Sequence, residues 1–218
     1  MSKSIERVTV LGAGVLGGQI CWHSAFKGKQ VVVYDLFEKG LEQCRFAHQQ
    51  YAEIYKRDLG ATDEQIEQTR ARLRYSTDLA DAVANADLVI EAVPEIPEVK
   101  KQVYRDMAPL LPANCLLATN SSTLLPSDFA EDTGRPEKYC ALHFANLIWS
   151  INLAEVMAHA KTAEDTLRAI TRFAIEIGMI PVPVSKPQNG YVINSLLVPL
   201  LSAAQTLVTN GVATPETV

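Results

Sequence analysis

Four polar groupings in this sequence could do chemistry: Glu95 with Lys100, Asn120-Ser121-Ser122, His143 with Asn146, and Glu155. Within them, His143 and Glu155 are the pair suited to moving a proton. Histidine has an unperturbed pKa of about 6.5, so near neutral pH it can both take and return a proton. A carboxylate on its second ring nitrogen fixes the tautomer and stabilises the imidazolium. Such a pair suits the exchange of an alcohol for a ketone, if a hydride carrier sits beside it.

The carrier is read from Arg7 to Asp35, RVTVLGAGVLGGQICWHSAFKGKQVVVYD. An apolar β-rich run, Val8 to Leu11, passes into Gly12-Ala13-Gly14-Val15-Leu16-Gly17. A helix-forming stretch follows, ended by Gly28, and a second β-branched run closes at Asp35. Strand, glycine turn, helix and strand with an acidic end make the dinucleotide-binding fingerprint. Gly12 permits the turn, Gly14 lets backbone approach a pyrophosphate, and Gly17 allows close helix packing. The helix N-terminus, at Val15 and Leu16, offers unpaired N–H groups to the diphosphate. Asp35 accepts from ribose hydroxyls and repels a 2′-phosphate, and Leu36-Phe37 bring no arginine. The expected cofactor is therefore NAD(H) and not NADP(H).

The elements that must position these groups follow in order. Glu38 to about Leu59 reads as a helix. Thr62 and Gln65 carry a capping-box pattern that starts another, running to about Leu73. This pair is longer than a βα unit needs and is expected to project from the sheet as an antenna. Its Lys56, Arg57, Arg70 and Arg72 form a solvated face, with contact to a phosphate-bearing substrate handle as the lesser alternative. Thr77–Ala84 is a short helix, Leu88–Val93 a buried strand, Glu98–Leu110 a helix and Cys115–Thr119 a strand. Pro126–Ala130 is a short helix, Tyr139–Phe144 and Leu153–Met157 strands, Ala163–Ile177 a helix closed by Gly178, and Met179–Val184 the last strand. Alternating strands and helices predict an α/β fold with a doubly wound, mostly parallel sheet. The polar clusters then gather beyond the carboxyl ends of its strands.

Lys186-Pro-Gln-Asn-Gly190 breaks the alternation, which divides the chain into residues 1–186 and 187–218. Tyr191 to Val208 is an apolar helix carrying Pro199. Thr214-Pro215 announces another helix that the sequence does not contain, so the second domain is expected to be cut short.

Composition excludes several classes. The 218 residues are 48% hydrophobic and 21% charged with a net charge of −5, and no basic run suggests nucleic acid or an acidic membrane surface. The N-terminus enters the first strand without space for a signal peptide, and the apolar stretch from Tyr191 is too short to span a bilayer. Cys21, Cys44, Cys115 and Cys140 have no metal-ligand spacing; buried free thiols, a cytoplasmic location and no metal are expected. His23, His48 and His159 are expected at partly exposed or surface positions. Trp22 and Trp149 are expected in packing, with Trp149 alternatively lining the cleft.

GAGVLGGQI, ADLVIEAVPE with Lys100, ATNSSTL, LHFAN, AEVM and NGYVINSLLVPLL together resemble the L-3-hydroxyacyl-CoA dehydrogenases, in order and spacing over nearly the whole chain. The resemblance implies a Rossmann-type domain with a helical hairpin insertion, followed by the start of an all-helical C-terminal domain. It implies that His143 is the catalytic base or acid and Glu155 its partner, with Ser122 and Asn194 binding the substrate's C3 oxygen. It further assigns Gly12, Gly14, Val15, Leu16, Gly17, Asp35, Glu95, Lys100, Asn120 and Ser122 to the NAD site. Asn146 is assigned a supporting hydrogen bond, the substrate is a short 3-hydroxyacyl-CoA thioester, and the assembly is a homodimer. Ser122 as a cap of the Pro126 turn and Asn194 as a satisfied helix-interface residue stay open from the residues alone.

The family commonly has HFFNP where this sequence has HFANL, with Ala145 and Leu147 at the changed positions. That loop, with NSSTLLPSD and SINLAEVM, is closer to the diketoreductase-like branch, which takes small 3-oxo or 3-hydroxy compounds. A sugar-acid dehydrogenase is a related alternative. An NADH-binding protein without catalysis is the alternative of another class, disfavoured because Ser122, His143, Glu155 and Asn194 occur together.

Overall fold

A computed structural model describes residues 4–218. In chain order the elements are β1 (Arg7–Leu11), α1 (Val15–Phe26), β2 (Gln30–Tyr34), α2 (Glu38–Leu59), α3 (Asp63–Ala71), β3 (Leu73–Ser76), α4 (Leu79–Val83), β4 (Leu88–Glu91), α5 (Pro97–Met107), β5 (Leu116–Thr119), β6 (Tyr139–Phe144), β7 (Leu153–Met157), α6 (Glu164–Glu176), β8 (Ile180–Val184) and α7 (Ile193–Thr209). The strands form one sheet in the order β3-β2-β1-β4-β5-β6-β7-β8. Every neighbouring pair is parallel except β6 and β7, which run antiparallel.

The central strands are apolar almost throughout because helices cover both faces, as parallel sheets require. Val8, Val10, Ile90, Ala118 and Leu142 face one buried cluster; Leu11, Val89, Leu117 and Tyr139 face the other. Burial of each large aliphatic side chain contributes roughly 1.5–3 kcal/mol. At the edge, β8 reads Ile-Pro-Val-Pro-Val. Two prolines remove backbone donors there, which blunts the edge against further strand pairing.

Local signals hold in detail for α3. Thr62 Oγ1 accepts from Gln65 N at 3.2 Å, while Gln65 Oε1 accepts from Thr62 N at 2.8 Å. The strand after it is not anticipated by the sequence. Leu73-Arg-Tyr-Ser is short, charged and follows α3 without a turn residue, so nothing local marks it as a strand; it nonetheless pairs with β2 from Val31↔Leu73 to Tyr34↔Ser76.

The helical pair α2–α3 also differs from the projecting antenna expected. It lies against α1, where Tyr51, Ala52, Tyr55, Ala61 and Ile66 bury Trp22. Its basic residues are mostly paired locally, Lys56 with Asp63 at 2.7 Å, Arg57 with Asp58 at 2.6 Å and Arg70 with Glu67 at 2.5 Å. Such exposed pairs add little stability.

The same packing corrects the expected exposure of three histidines: His23, His48 and His159 are all buried. His23 Nε2 donates to the Ile177 carbonyl at 2.8 Å, and Nδ1 accepts from Tyr55 Oη at 2.7 Å. His48 repeats the pattern, with Nε2 on the Gly18 carbonyl at 2.9 Å and Nδ1 on Tyr75 Oη at 2.7 Å. His159 Nε2 lies 3.1 Å from the Pro136 carbonyl. Burial lowers both His23 and His48 to about 4. Their folded pKa values lie below the unfolded value, so their stabilisation is complete above about pH 6.5 and is lost as pH falls toward about 4. A shift of this size corresponds to about 3 kcal/mol per histidine. The denaturation midpoint is therefore expected to drop steeply across this window, and less steeply in His48→Gln; a flat profile would contradict neutral burial.

Candidate active site

The glycine turn between β1 and α1 is built from close backbone contacts at two of its glycines and opens at the third. Gly12 has φ +104°, and a Cβ there would stand 2.4 Å from the Ala92 carbonyl oxygen. A Cβ on Gly17 would stand 2.0 Å from the Gly12 carbonyl oxygen. A Cβ on Gly14 would meet nothing within 4 Å. Gly14 is also the N-cap of α1 and brings no side-chain cap, and the first turn contains no acidic residue. The N–H groups at Val15, Leu16 and Gly17 therefore face an open cradle, which fits the diphosphate of a dinucleotide.

Asp35, at the end of β2, holds this turn from the side. Its Oδ2 accepts from Ala13 N at 2.9 Å and its Oδ1 from Phe37 N at 3.0 Å. Each oxygen keeps a second acceptor position, as two ribose hydroxyls require.

Glu95 and Lys100 do something the sequence does not reveal. Glu95 Oε1 accepts from Ser122 N, Thr123 N and Thr123 Oγ1, each at 3.0 Å, and from the Ser121 hydroxyl. Its Oε2 pairs with Lys100 Nζ at 3.1 Å. Burial pushes the Glu95 carboxyl up, but the Ser121 hydroxyl, the Lys100 charge and the Thr123 N–H outweigh this and hold it at about 2. Lys100 is only 1% exposed and also donates to Glu91 Oε1 at 2.7 Å. Glu91, fully buried at the end of β4, further accepts from Tyr104 Oη at 2.9 Å and Thr119 Oγ1 at 2.7 Å. The pair thus clamps the loop after β5 onto β4, with Lys100 aimed at carboxylates beneath the cleft. Glu91 was legible in principle: a carboxylate inside an otherwise apolar strand demands a buried cation, and Lys100 lies on the next helix.

That loop carries Asn120 and Ser122. Asn120 Oδ1 accepts from Phe144 N at 2.9 Å, fixing the end of β6. Antiparallel register sets His143 on β6 directly opposite Glu155 on β7. His143 Nδ1 donates to Glu155 Oε2 at 2.8 Å. Nε2 is then the acceptor in the neutral ring, 3.2 Å from Ser122 Oγ. Glu155 is fully buried, and its second oxygen accepts from Val192 N at 2.7 Å and Ile193 N at 2.9 Å, the start of α7. Asn194 Nδ2 donates to the Ser122 carbonyl at 3.2 Å. Ser122, His143, Glu155 and Asn194 thus form one connected set. Leu125 and Asp128, not Ser122, close the Pro126 turn.

Two further residues were not singled out from the sequence. Tyr191, buried with φ +55°, packs its ring 4.9 Å from that of His143. Gln19, on α1, donates from Nε2 to Asn146 Oδ1 at 2.8 Å and accepts from Leu147 N at 2.9 Å. Leu147 has φ +60°, which a proline cannot adopt, so HFANL takes a path closed to HFFNP. Trp149, in the same loop, packs on Tyr51 and Tyr55. Among the described residues, no cluster of three or more His, Cys, Asp and Glu side chains could hold a metal ion, and no helix is long and apolar enough to cross a membrane.

Comparison with known proteins identifies relatives of this chain. Residues 7–187 match the family described as 3-hydroxyacyl-CoA dehydrogenase, NAD binding domain. The fatty acid oxidation complex subunit alpha of Idiomarina loihiensis is 32% identical over 213 residues, covering 97% of this chain and 29% of that protein. The mitochondrial hydroxyacyl-coenzyme A dehydrogenase of Sus scrofa is 33% identical over 221 residues, covering 97% of this chain and 69% of that protein. A solved diketoreductase structure, described as showing substrate-directed dual catalysis of dicarbonyl compounds, is 47% identical with a TM-score of 0.93, covering 99% of this chain and 77% of that one. The glycine cradle, its acidic flank and the match over residues 7–187 converge: the chain belongs to the 3-hydroxyacyl-CoA dehydrogenase family and carries its NAD-binding domain.

Proposed function

We propose that this protein interconverts a 3-hydroxyacyl-CoA of short chain and its 3-oxo form, with NAD as the hydride carrier. The observation that carries the reading is the chain of contacts from Glu155 through His143 to Ser122, at 2.8 Å and 3.2 Å, beside the glycine cradle. When bound, nicotinamide supplies or accepts the hydride. In the reducing direction, protonated His143 gives a proton from Nε2 to the oxygen that becomes the hydroxyl, and Glu155 stabilises the charged ring beforehand. Ser122 Oγ and Asn194 hold that oxygen. The cradle of Gly12, Gly14, Val15, Leu16 and Gly17 takes the diphosphate, and Asp35 takes the adenosine ribose. Asn120 borders the nicotinamide side, and Glu95 with Lys100 act there by fixing the loop of Ser122.

A second reading, reduction of free dicarbonyl compounds, is favoured by one observation: the 47% identity to a diketoreductase structure exceeds the 32% and 33% to the fatty acid oxidation complex subunit and the hydroxyacyl-coenzyme A dehydrogenase above. NADH oxidation measured with acetoacetyl-CoA, free acetoacetate and a β,δ-diketoester decides between them. Activity confined to the thioester supports the first reading. Activity confined to the free compounds overturns it in favour of the second, and no oxidation with any defeats both.

The working form proposed is a cytoplasmic homodimer. Four free, buried thiols support a reducing compartment. Leu196, Val198, Leu200 and Leu201 of α7 are largely exposed, and an apolar surface of this kind is usually covered by another chain. Sedimentation of the chain as a monomer would overturn the dimer.

Cofactor choice follows from Asp35. NADH is expected to be strongly preferred over NADPH, because a 2′-phosphate would approach this carboxylate. Asp35→Asn, which keeps an acceptor but removes the charge, is expected to narrow the preference by about tenfold, one charge contact of about 1.4 kcal/mol. Equal kcat/KM for both cofactors in the unaltered protein would contradict the assignment.

A further inference from the structure

Gln19 is buried on α1, on the helix whose N-terminus faces the diphosphate cradle. Its amide has one orientation that satisfies its surroundings. Oε1 accepts from Leu147 N at 2.9 Å and Ile148 N at 3.3 Å, and Nε2 donates to Asn146 Oδ1 at 2.8 Å. These three partners lie in the loop joining β6, which carries His143, to β7, which carries Glu155; Tyr51 of α2 also hydrogen-bonds Gln19, and Leu147 N is shared with Asn146 Oδ1 at 2.9 Å. The loop needs such a hold. Leu147 occupies the left-handed region, which costs a non-glycine residue about 1–3 kcal/mol unless its surroundings impose it. Downstream, Ser150 N and Ile151 N both donate to the Leu147 carbonyl at 2.8 Å, closing a tight turn. Trp149 anchors the far side on the rings of Tyr51 and Tyr55, at 5.5 Å and 6.0 Å between centroids. Held at both ends, the loop leaves Leu147 and Ile151 exposed while Ile148 is buried and Trp149 half-buried between them.

We propose that Gln19 is a positioning residue for substrate specificity. By holding the left-handed turn at Leu147, four residues beyond His143, it sets the exposed Leu147 and Ile151 as an apolar rim at the end of β6 and fixes the place of that rim relative to α1, the cofactor helix. The rim then selects the group attached to the carbonyl undergoing reduction. Because Gln19 reaches from the cofactor helix itself, rim and cofactor move as one body. This role rests on the proposed reduction of a 3-oxo compound.

The test compares the unaltered chain with Gln19→Met, similar in length but unable to make these hydrogen bonds, and Gln19→Glu, which keeps the acceptor for both N–H groups. Three quantities are read: NADH affinity, amide hydrogen exchange of the 144–152 segment, and kcat and KM for acetoacetyl-CoA, acetoacetate and a β,δ-diketoester. In Gln19→Met, exchange should quicken at Leu147 and Ile148 and NADH affinity should stay unchanged. KM for the preferred substrate should rise by about tenfold or more, the scale of a small misplacement in a binding site. The ratio of kcat/KM between preferred and poorer substrates should shrink, and Gln19→Glu should recover part of both effects. Unchanged KM and substrate ranking in Gln19→Met, or a loss confined to NADH affinity, would overturn the role. An unaltered chain that binds NADH yet reduces none of the three would instead overturn the proposed function, and the specificity role with it.

Discussion

Replacing His143 with alanine is expected to slow turnover by about 10²–10⁴-fold, the ordinary worth of a general acid or base. NADH affinity should remain, because His143 contacts Glu155, Ser122 and Tyr191 and not the glycine cradle. The residual rate would come from Ser122 and Asn194, the groups proposed to hold the substrate oxygen. Glu155→Gln sharpens the expectation. Both oxygens of Glu155 are acceptors, one for His143 Nδ1 and the other for the N–H groups of Val192 and Ile193. Glutamine has a single oxygen. With two donors at the start of α7, that oxygen turns toward the helix and the amide nitrogen faces His143. The ring is then driven into the opposite tautomer, with its proton on Nε2 and no charge partner. The loss should therefore exceed that from removing a charge alone and approach that of His143→Ala. Single-turnover NADH oxidation measures both variants, and a wild-type rate in His143→Ala would overturn the assignment.

The second large effect concerns two glycines that look alike in the fingerprint and should behave differently. In Gly17→Ala the new Cβ would sit 2.0 Å from a backbone oxygen of Gly12, which cannot swing aside. The turn must distort, so stability and NADH affinity should fall together. The stability loss should exceed the 1–3 kcal/mol typical of overpacking, about 3 kcal/mol or more. In Gly14→Ala the Cβ enters open space. The folded protein should lose no stability, yet NADH affinity should drop by about 10²-fold, because the methyl group stands where the pyrophosphate must approach. Thermal midpoints with and without NADH separate the two. Unchanged NADH stabilisation in Gly14→Ala would remove the cradle from the cofactor site.

Much of this was legible in the sequence for definite reasons. The glycine turn is a local backbone requirement, so residue types alone reveal it. β6 and β7 were delimited to the residue, and placing His143 and Glu155 on neighbouring strands followed from apolar runs bounded by polar loops. The capping box of Thr62 was likewise local. What escaped was non-local. β3 is recognisable only through its pairing with β2, and the burial of His23 and His48 depends on α2 and α3 folding down onto α1. The task of Glu95 and Lys100 required knowing that Glu91 lies beneath them. Gln19 falls inside the fingerprint but acts on a loop far along the chain, which no spacing rule connects to it.

Glu155 has a consequence for anyone recombining members of this family. Its buried carboxylate is shared between the histidine beside it on the sheet and the opening turn of α7. A crossover placed in 185–190 would join the sheet of one parent to the helix of another, and the seam would fall across a single charged group. The interchangeable unit therefore extends from His143 through Ile193, with Glu155, Tyr191 and its φ of +55° inside it. Chimeras that keep this span from one parent should retain proton transfer, whereas those cut within it should lose turnover before they lose their fold, as activity set beside circular dichroism would register.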